Sequence, residues 1–73
     1  MKKSHTLKLY NRVTAVRMSR DLSVSDLAKL VGSTKTTIIA IENNTYTPTV
    51  YLSICLAIAL ETTVEDLFYL EIE

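Results

Sequence analysis

The sequence predicts an all-α domain of five short helices, and three observations carry that prediction. Hydrophobic residues make up 48% of the 73, enough to fill a small core, while Gly and Pro occur once each, leaving little material for the turns of a sheet protein. Four short polar stretches, Asp21 to Ser23, Gly32 to Thr34, Asn43 to Thr49 and Glu61 to Thr63, cut the chain into five segments. Two of these stretches end in a capping signature, Ser23 with Asp26 and Thr63 with Asp66, whose side chains satisfy amide groups that the first turn of a helix leaves free.

In the first segment Leu9, Val13, Val16 and Met18 mix with Arg12, Arg17 and Arg20 at amphipathic spacing, which predicts a helix from about Tyr10 to Arg20. The second helix begins at the Ser23 capping box and turns Leu27, Leu30 and Val31 to one side. Gly32 can take the positive φ that ends it. Thr34 is a good N-cap for a third helix, Thr34 to Glu42, in which Ile38 and Ile41 share a face. Pro48 and Thr49 open a fourth helix to about Leu60, so apolar around its circumference that burial on more than one side is expected. A short fifth helix runs from Thr63 through Phe68. Residues His5 to Leu9 and Tyr69 to Glu73 both alternate, so the N-terminal and C-terminal ends are expected to pair as a small two-stranded ribbon resting on the helices.

The composition excludes several classes of function. A single Cys55 and a single His5 rule out an internal disulfide framework and a Cys/His zinc cluster; no cofactor or metal is expected, and a reducing, cytoplasmic setting fits. The longest apolar run, Val50 to Leu60, is about half the length a bilayer crossing needs, so no membrane association is expected. No repeat or linker divides the chain, which reads as one domain over 1–73 with an arm at 1–8 and a tail at 69–73. An enzyme is not expected, because no paired carboxylates, phosphate loop or nucleophile with a base can be assembled, and no small-molecule ligand is evident.

Net charge is zero, but its distribution is not even. Residues 1–41 hold all eight Lys and Arg against Asp21 and Asp26, a net +6, while residues 42–73 hold six acids and no base. Only the first part suits phosphate. Its centre has the parts of a helix-turn-helix: Ala28 is small enough for two helices to cross closely, Gly32 permits the turn, and Leu27, Val31, Ile38 and Ile41 can pack inward. Lys35, Thr36, Ile39 and Ala40 are left outward on the third helix, a surface narrow enough for a major groove.

The stretches D-L-A-K-L-V-G, T-T-I-I-A-I-E-N-N, T-Y-T-P-T-V and L-E-T-T-V-E-D-L-F together make the chain from about Asn11 to Phe68 resemble the Cro/repressor-type, or XRE-like, helix-turn-helix family of prokaryotic and phage regulators. The resemblance implies a five-helix lambda-repressor-like domain that binds double-stranded operator DNA as a symmetric homodimer, with the third helix as reader. Carried over by position, Lys35, Thr36 and Ile39 face bases. Thr34 and Thr37, with Asn43, Asn44 and Tyr46 in the next loop, fall where the family contacts phosphate. Arg12, Arg20 and the arm lysines Lys2, Lys3 and Lys8 are further candidates for phosphate attraction, and Arg17 with Glu42 matches a structural ion pair.

The sequence also departs from the family pattern. Val24 stands where glutamine is frequent, Ile39 replaces a polar outward residue, and Asn44 replaces a glycine whose left-handed backbone asparagine tolerates. Tyr51, Cys55 and Ile58 form an apolar stripe where charged residues are usual, which predicts a homodimer interface shared with tail residues Leu70 and Ile72. Cover by the chain's own tail is the alternative, and Cys55 is expected to be a buried hydrophobe in both cases. The rival for function is an antitoxin-like or protein-interaction module on the same fold, with Ile39 and the Tyr51 stripe meeting proteins rather than DNA.

Overall fold

The structure, a computed structural model, describes residues 6–72, so Lys2, Lys3 and His5 of the arm lie outside the described residues. Strand β1 (Leu7–Asn11) leads into α1 (Val13–Ser19), α2 (Val24–Val31), α3 (Lys35–Glu42), α4 (Val50–Ala59) and the single turn α5 (Val64–Leu67), and the chain closes with strand β2 (Phe68–Ile72). The strands pair antiparallel from Leu7 opposite Ile72 to Asn11 opposite Phe68. The five helices and the terminal ribbon are thus those the sequence predicts, with shifted boundaries.

The ribbon reaches two residues further than the alternating pattern suggested, and α1 starts at Val13 instead of Tyr10. Two bonds fix that junction: the Val13 amide donates to Asn11 Oδ1 at 3.0 Å, and the Arg12 amide donates to the Leu67 carbonyl at 2.8 Å. Phe68, expected at the end of the fifth helix, opens β2 with φ −122°. Aromatic and cationic side chains then line one face of the ribbon. Tyr10 stacks on Tyr69 at 5.9 Å between ring centroids, and the Arg12 guanidinium sits 4.2 Å over the Tyr69 ring.

Helix starts follow the predicted caps. Ser23 and Asp26 make both arms of a capping box, and the Ser23 amide, donating to Asp26 Oδ2, with the Ser23 hydroxyl beside it, holds that carboxyl below its ordinary pKa. Thr34, Thr49 and Thr63 each accept from the amide three residues on, but Asp66 does not return the bond to Thr63, so the second box is half formed.

Helix ends share one device, which the sequence indicates at Gly32 and Asn44 but not at the other two. Residues Asp21, Gly32, Asn44 and Glu61 all take left-handed φ, between 57° and 66°. After each, the next amide reaches back five residues to a helix carbonyl: Leu22 to Arg17, Ser33 to Ala28, Thr45 to Ala40 and Thr62 to Ala57. Four successive helices therefore close with the same left-handed cap and the same backward bond.

The core is built from Val13, Leu27, Ala28, Val31, Ile38, Ile41, Leu56, Ala57, Leu60 and Leu67, so every helix contributes. Two expectations of inward packing are corrected. Leu30 is 60% exposed, because Leu27, Ala28 and Val31 already cover the inward arc of α2. Helix α4 is buried on one side only: Ser53, Leu56 and Ala57 face the core, while Val50, Tyr51, Ile54 and Ile58 face solvent and the tail does not cover them. Cys55 is accordingly half-buried rather than buried.

Candidate nucleic-acid interface

Helix α3 divides cleanly between two faces. Ile38 and Ile41 are fully buried against α2 and the rest of the core, which fixes the rotation of the helix about its axis. With about 100° between successive residues, Thr36, Ile39 and Asn43 then share the opposite arc, and Lys35 lies at its edge. All four are exposed, Ile39 to 41%. Among the described residues Lys35 has no ion-pair or hydrogen-bond partner, so its ammonium is available to a ligand.

At the start of α3 the Thr34 hydroxyl is fully engaged as a cap. It accepts from the Thr37 amide at 3.1 Å and donates to Thr37 Oγ1 at 2.9 Å. Since Thr37 Oγ1 receives that proton, its own hydrogen is free to donate outward.

At the far end of α3, Glu42 turns back toward α1. Arg17 Nε donates to Glu42 Oε2 at 2.8 Å, and the two side chains retain only 13% and 9% of their exposure. Arg17 also donates to the Leu22 carbonyl at 2.8 Å, so one guanidinium ties together α1, the turn before α2 and the end of α3. Beyond Glu42, Asn43 and Thr45 are exposed, and Tyr46 is nearly half exposed beside them.

The other predicted phosphate ligands are placed differently. Arg12 donates to the Asp66 carbonyl at 3.1 Å and lies over Tyr69, so its guanidinium is committed to the base of the ribbon. Arg20 pairs with Glu61 at 3.0 Å on the surface. Of the positive charge read from the sequence, that of Arg17 and Arg20 is therefore paired with acids from the later part of the same chain.

Asn11 was not singled out by the sequence reading, although an asparagine just ahead of an amphipathic run is a turn signal. Its amide makes three bonds. Oδ1 accepts from the Val13 amide, and Nδ2 donates at 2.9 Å both to the Ile41 carbonyl and to Asn44 Oδ1.

Tyr51, Ile54 and Ile58 form an apolar face on α4, next to a cleft lined by Leu30, Cys55, Ile58 and Ala59. Tyr51 is 76% exposed and Ile58 71%. The neighbouring Cys55 thiol raises the pKa of the Tyr51 hydroxyl. Leu70 and Ile72 are exposed on the ribbon. No helix among the described residues is long and apolar enough to cross a membrane.

Two helices joined by the Gly32 turn, the second anchored by isoleucines and open on its outer side, define a helix-turn-helix domain. Residues 13–67 match the family described as helix-turn-helix (HTH_3), and the chain belongs to that family. Among solved structures it is similar to a crystal structure of an HTH_3 family transcriptional regulator from Vibrio cholerae, at 30% sequence identity and a TM-score of 0.66. That alignment covers 73% of this chain and 30% of the other, so the present chain spans under a third of the length of its solved neighbour. No curated protein matches.

Proposed function

We propose that this chain is a sequence-specific transcriptional regulator, a repressor, that binds a pseudo-palindromic operator as a homodimer with α3 in the major groove. The observation that carries the reading is the division of α3, with Ile38 and Ile41 locked in the core and Lys35, Thr36, Ile39 and Asn43 on the open side. In this reading Lys35 donates to guanine O6 and N7, Thr36 meets a base edge, and Ile39 packs on a thymine methyl. Thr34, Thr37, Asn43, Asn44 and Tyr46 lie along phosphate, Thr34 through its backbone amide because its hydroxyl is the cap, Thr37 through its free hydroxyl hydrogen and Asn44 through Nδ2, since its oxygen is taken by Asn11. Arg12 contributes through long-range charge alone.

A second copy of the chain is the occupant proposed for the α4 face. Val50, Ile54, Ile58, Tyr51 and Cys55 fall within an arc of about 140° with no charge among them. With Leu30, which lines a cleft beside Cys55 and Ile58, they leave one contiguous apolar patch open to solvent, the kind of surface that marks an interface. Leu70 and Ile72 extend the same proposal to the ribbon. A two-fold axis would set the reading helices about 34 Å apart, one turn of duplex.

Titration of labelled genomic fragments at several salt concentrations tests the reading. Selective binding with a negative log-log salt slope is expected, and Lys35→Glu should abolish it. The exposed Ile39 favours one rival, a protein-interaction module on the same fold. There Ile39→Glu should do the greater harm and no fragment should be selected.

A further inference from the structure

The three bonds of the Asn11 side chain join parts of the molecule that are far apart in sequence. We propose that Asn11 is a positioning residue for DNA reading, a clamp through which the terminal ribbon holds the end of α3 and the loop after it in register with the duplex. This rests on the reading of α3 as the DNA-facing helix.

The orientation of the Asn11 amide is dictated by backbone groups. The Val13 amide can only donate, so the atom facing it must be Oδ1; the Ile41 carbonyl can only accept, so the atom facing it must be Nδ2. The second hydrogen on Nδ2 then requires an oxygen from Asn44, and Oδ1 of Asn44 meets it at 2.9 Å. One consequence concerns the loop. With its oxygen held inward, Asn44 must turn its own Nδ2 away from Asn11, which leaves two donors for a phosphate oxygen.

A second consequence concerns the helix. The Ile41 carbonyl is among the last of α3 and also accepts from the Asn44 amide at 3.1 Å, so the clamp closes on the turn that aims the loop. Asn44 holds φ 62° there, a left-handed conformation that an asparagine adopts at some cost and that the bond from Asn11 helps to retain. Because Asn11 ends β1, pairing of the two chain termini is linked to the geometry of the reading surface.

The test uses the full chain with Asn11→Asp and Asn11→Leu. The aspartate can still accept from the Val13 amide and so keeps the α1 start, but it cannot donate to Ile41 or Asn44; the leucine loses both functions without adding charge. For each protein, affinity is measured for a genomic fragment retrieved by the unaltered chain and for a random duplex of equal length. Added negative charge weakens both affinities together, whereas loss of the clamp lowers their ratio. The ratio is expected to fall about tenfold in both variants, the equivalent of one or two hydrogen bonds. In the free proteins, amide NMR shifts should change from Ile41 to Tyr46 and stay constant on α4. If Asn11→Asp folds and keeps the ratio within about twofold, with those amides unmoved, the clamp is refuted while the DNA reading stands. If the unaltered chain retrieves no fragment, the DNA reading fails and this inference falls with it.

Discussion

Arg17 and Glu42 illustrate what a single pair contributes. Both charges are nearly removed from water, and Arg17 has a second acceptor in the Leu22 carbonyl, so deleting either partner strands the other in a poorly solvated site. Glu42→Ala is expected to lower stability by about 3 kcal/mol, a large share of what a domain of this size has, and thermal or urea unfolding measures it. The surface pair Arg20 with Glu61 should contribute well under 1 kcal/mol by comparison. At this scale the sequence was legible where a residue type has one physical role: Gly32 for its φ, Ser23 and Thr34 for their caps, Ile38 and Ile41 for the core. It was not legible for Arg12 and Asn11. Their partners, Asp66, Tyr69, Ile41 and Asn44, lie 30 or more residues away and become neighbours only when the chain is folded.

Helices were easier to find than their ends. Periodicity placed all five, but it cannot separate a strand that flows into a helix from a longer helix, and the residues Tyr10 and Asn11 fit either pattern until β2 arrives to pair with them. The repeated left-handed endings were missed at Asp21 and Glu61 for a related reason: only glycine announces such a turn in the sequence, and these two residues adopt it because the backward bonds from Leu22 and Thr62 close the helix ends. Relief of that strain gives a prediction at this scale. Asp21→Gly should raise stability by up to about 1 kcal/mol with no change in DNA affinity, read by denaturant unfolding beside the binding assay. On α4 an apolar circumference reports how much surface needs cover and not which molecule supplies it. The core covers one side, and the other is open in a single chain.

For the molecule as a whole, the opposed charges of the two parts of the chain meet at only two points. Arg17 and Arg20 each pair with an acid from beyond residue 41, while among the described residues Lys8, Arg12, Lys29 and Lys35 form no ion pair with an acid. Binding to a duplex should therefore weaken as salt rises, with a log-log slope that reports how many of these cations meet phosphate. The proposed dimer is accessible to light scattering: the unaltered chain is expected at twice its 8.2 kDa mass, and the double variant Tyr51→Glu with Ile58→Glu at the monomer mass with its helix content kept. A monomer in the unaltered chain at micromolar concentration would count against the α4 interface. The central claim, that the outer side of α3 is what touches the duplex, is tested most directly by following every backbone amide by NMR while a retrieved duplex is added. The account predicts the largest shifts from Thr34 to Tyr46 and small ones from Tyr51 to Ile58; strong shifts on α4 with α3 unmoved would contradict it.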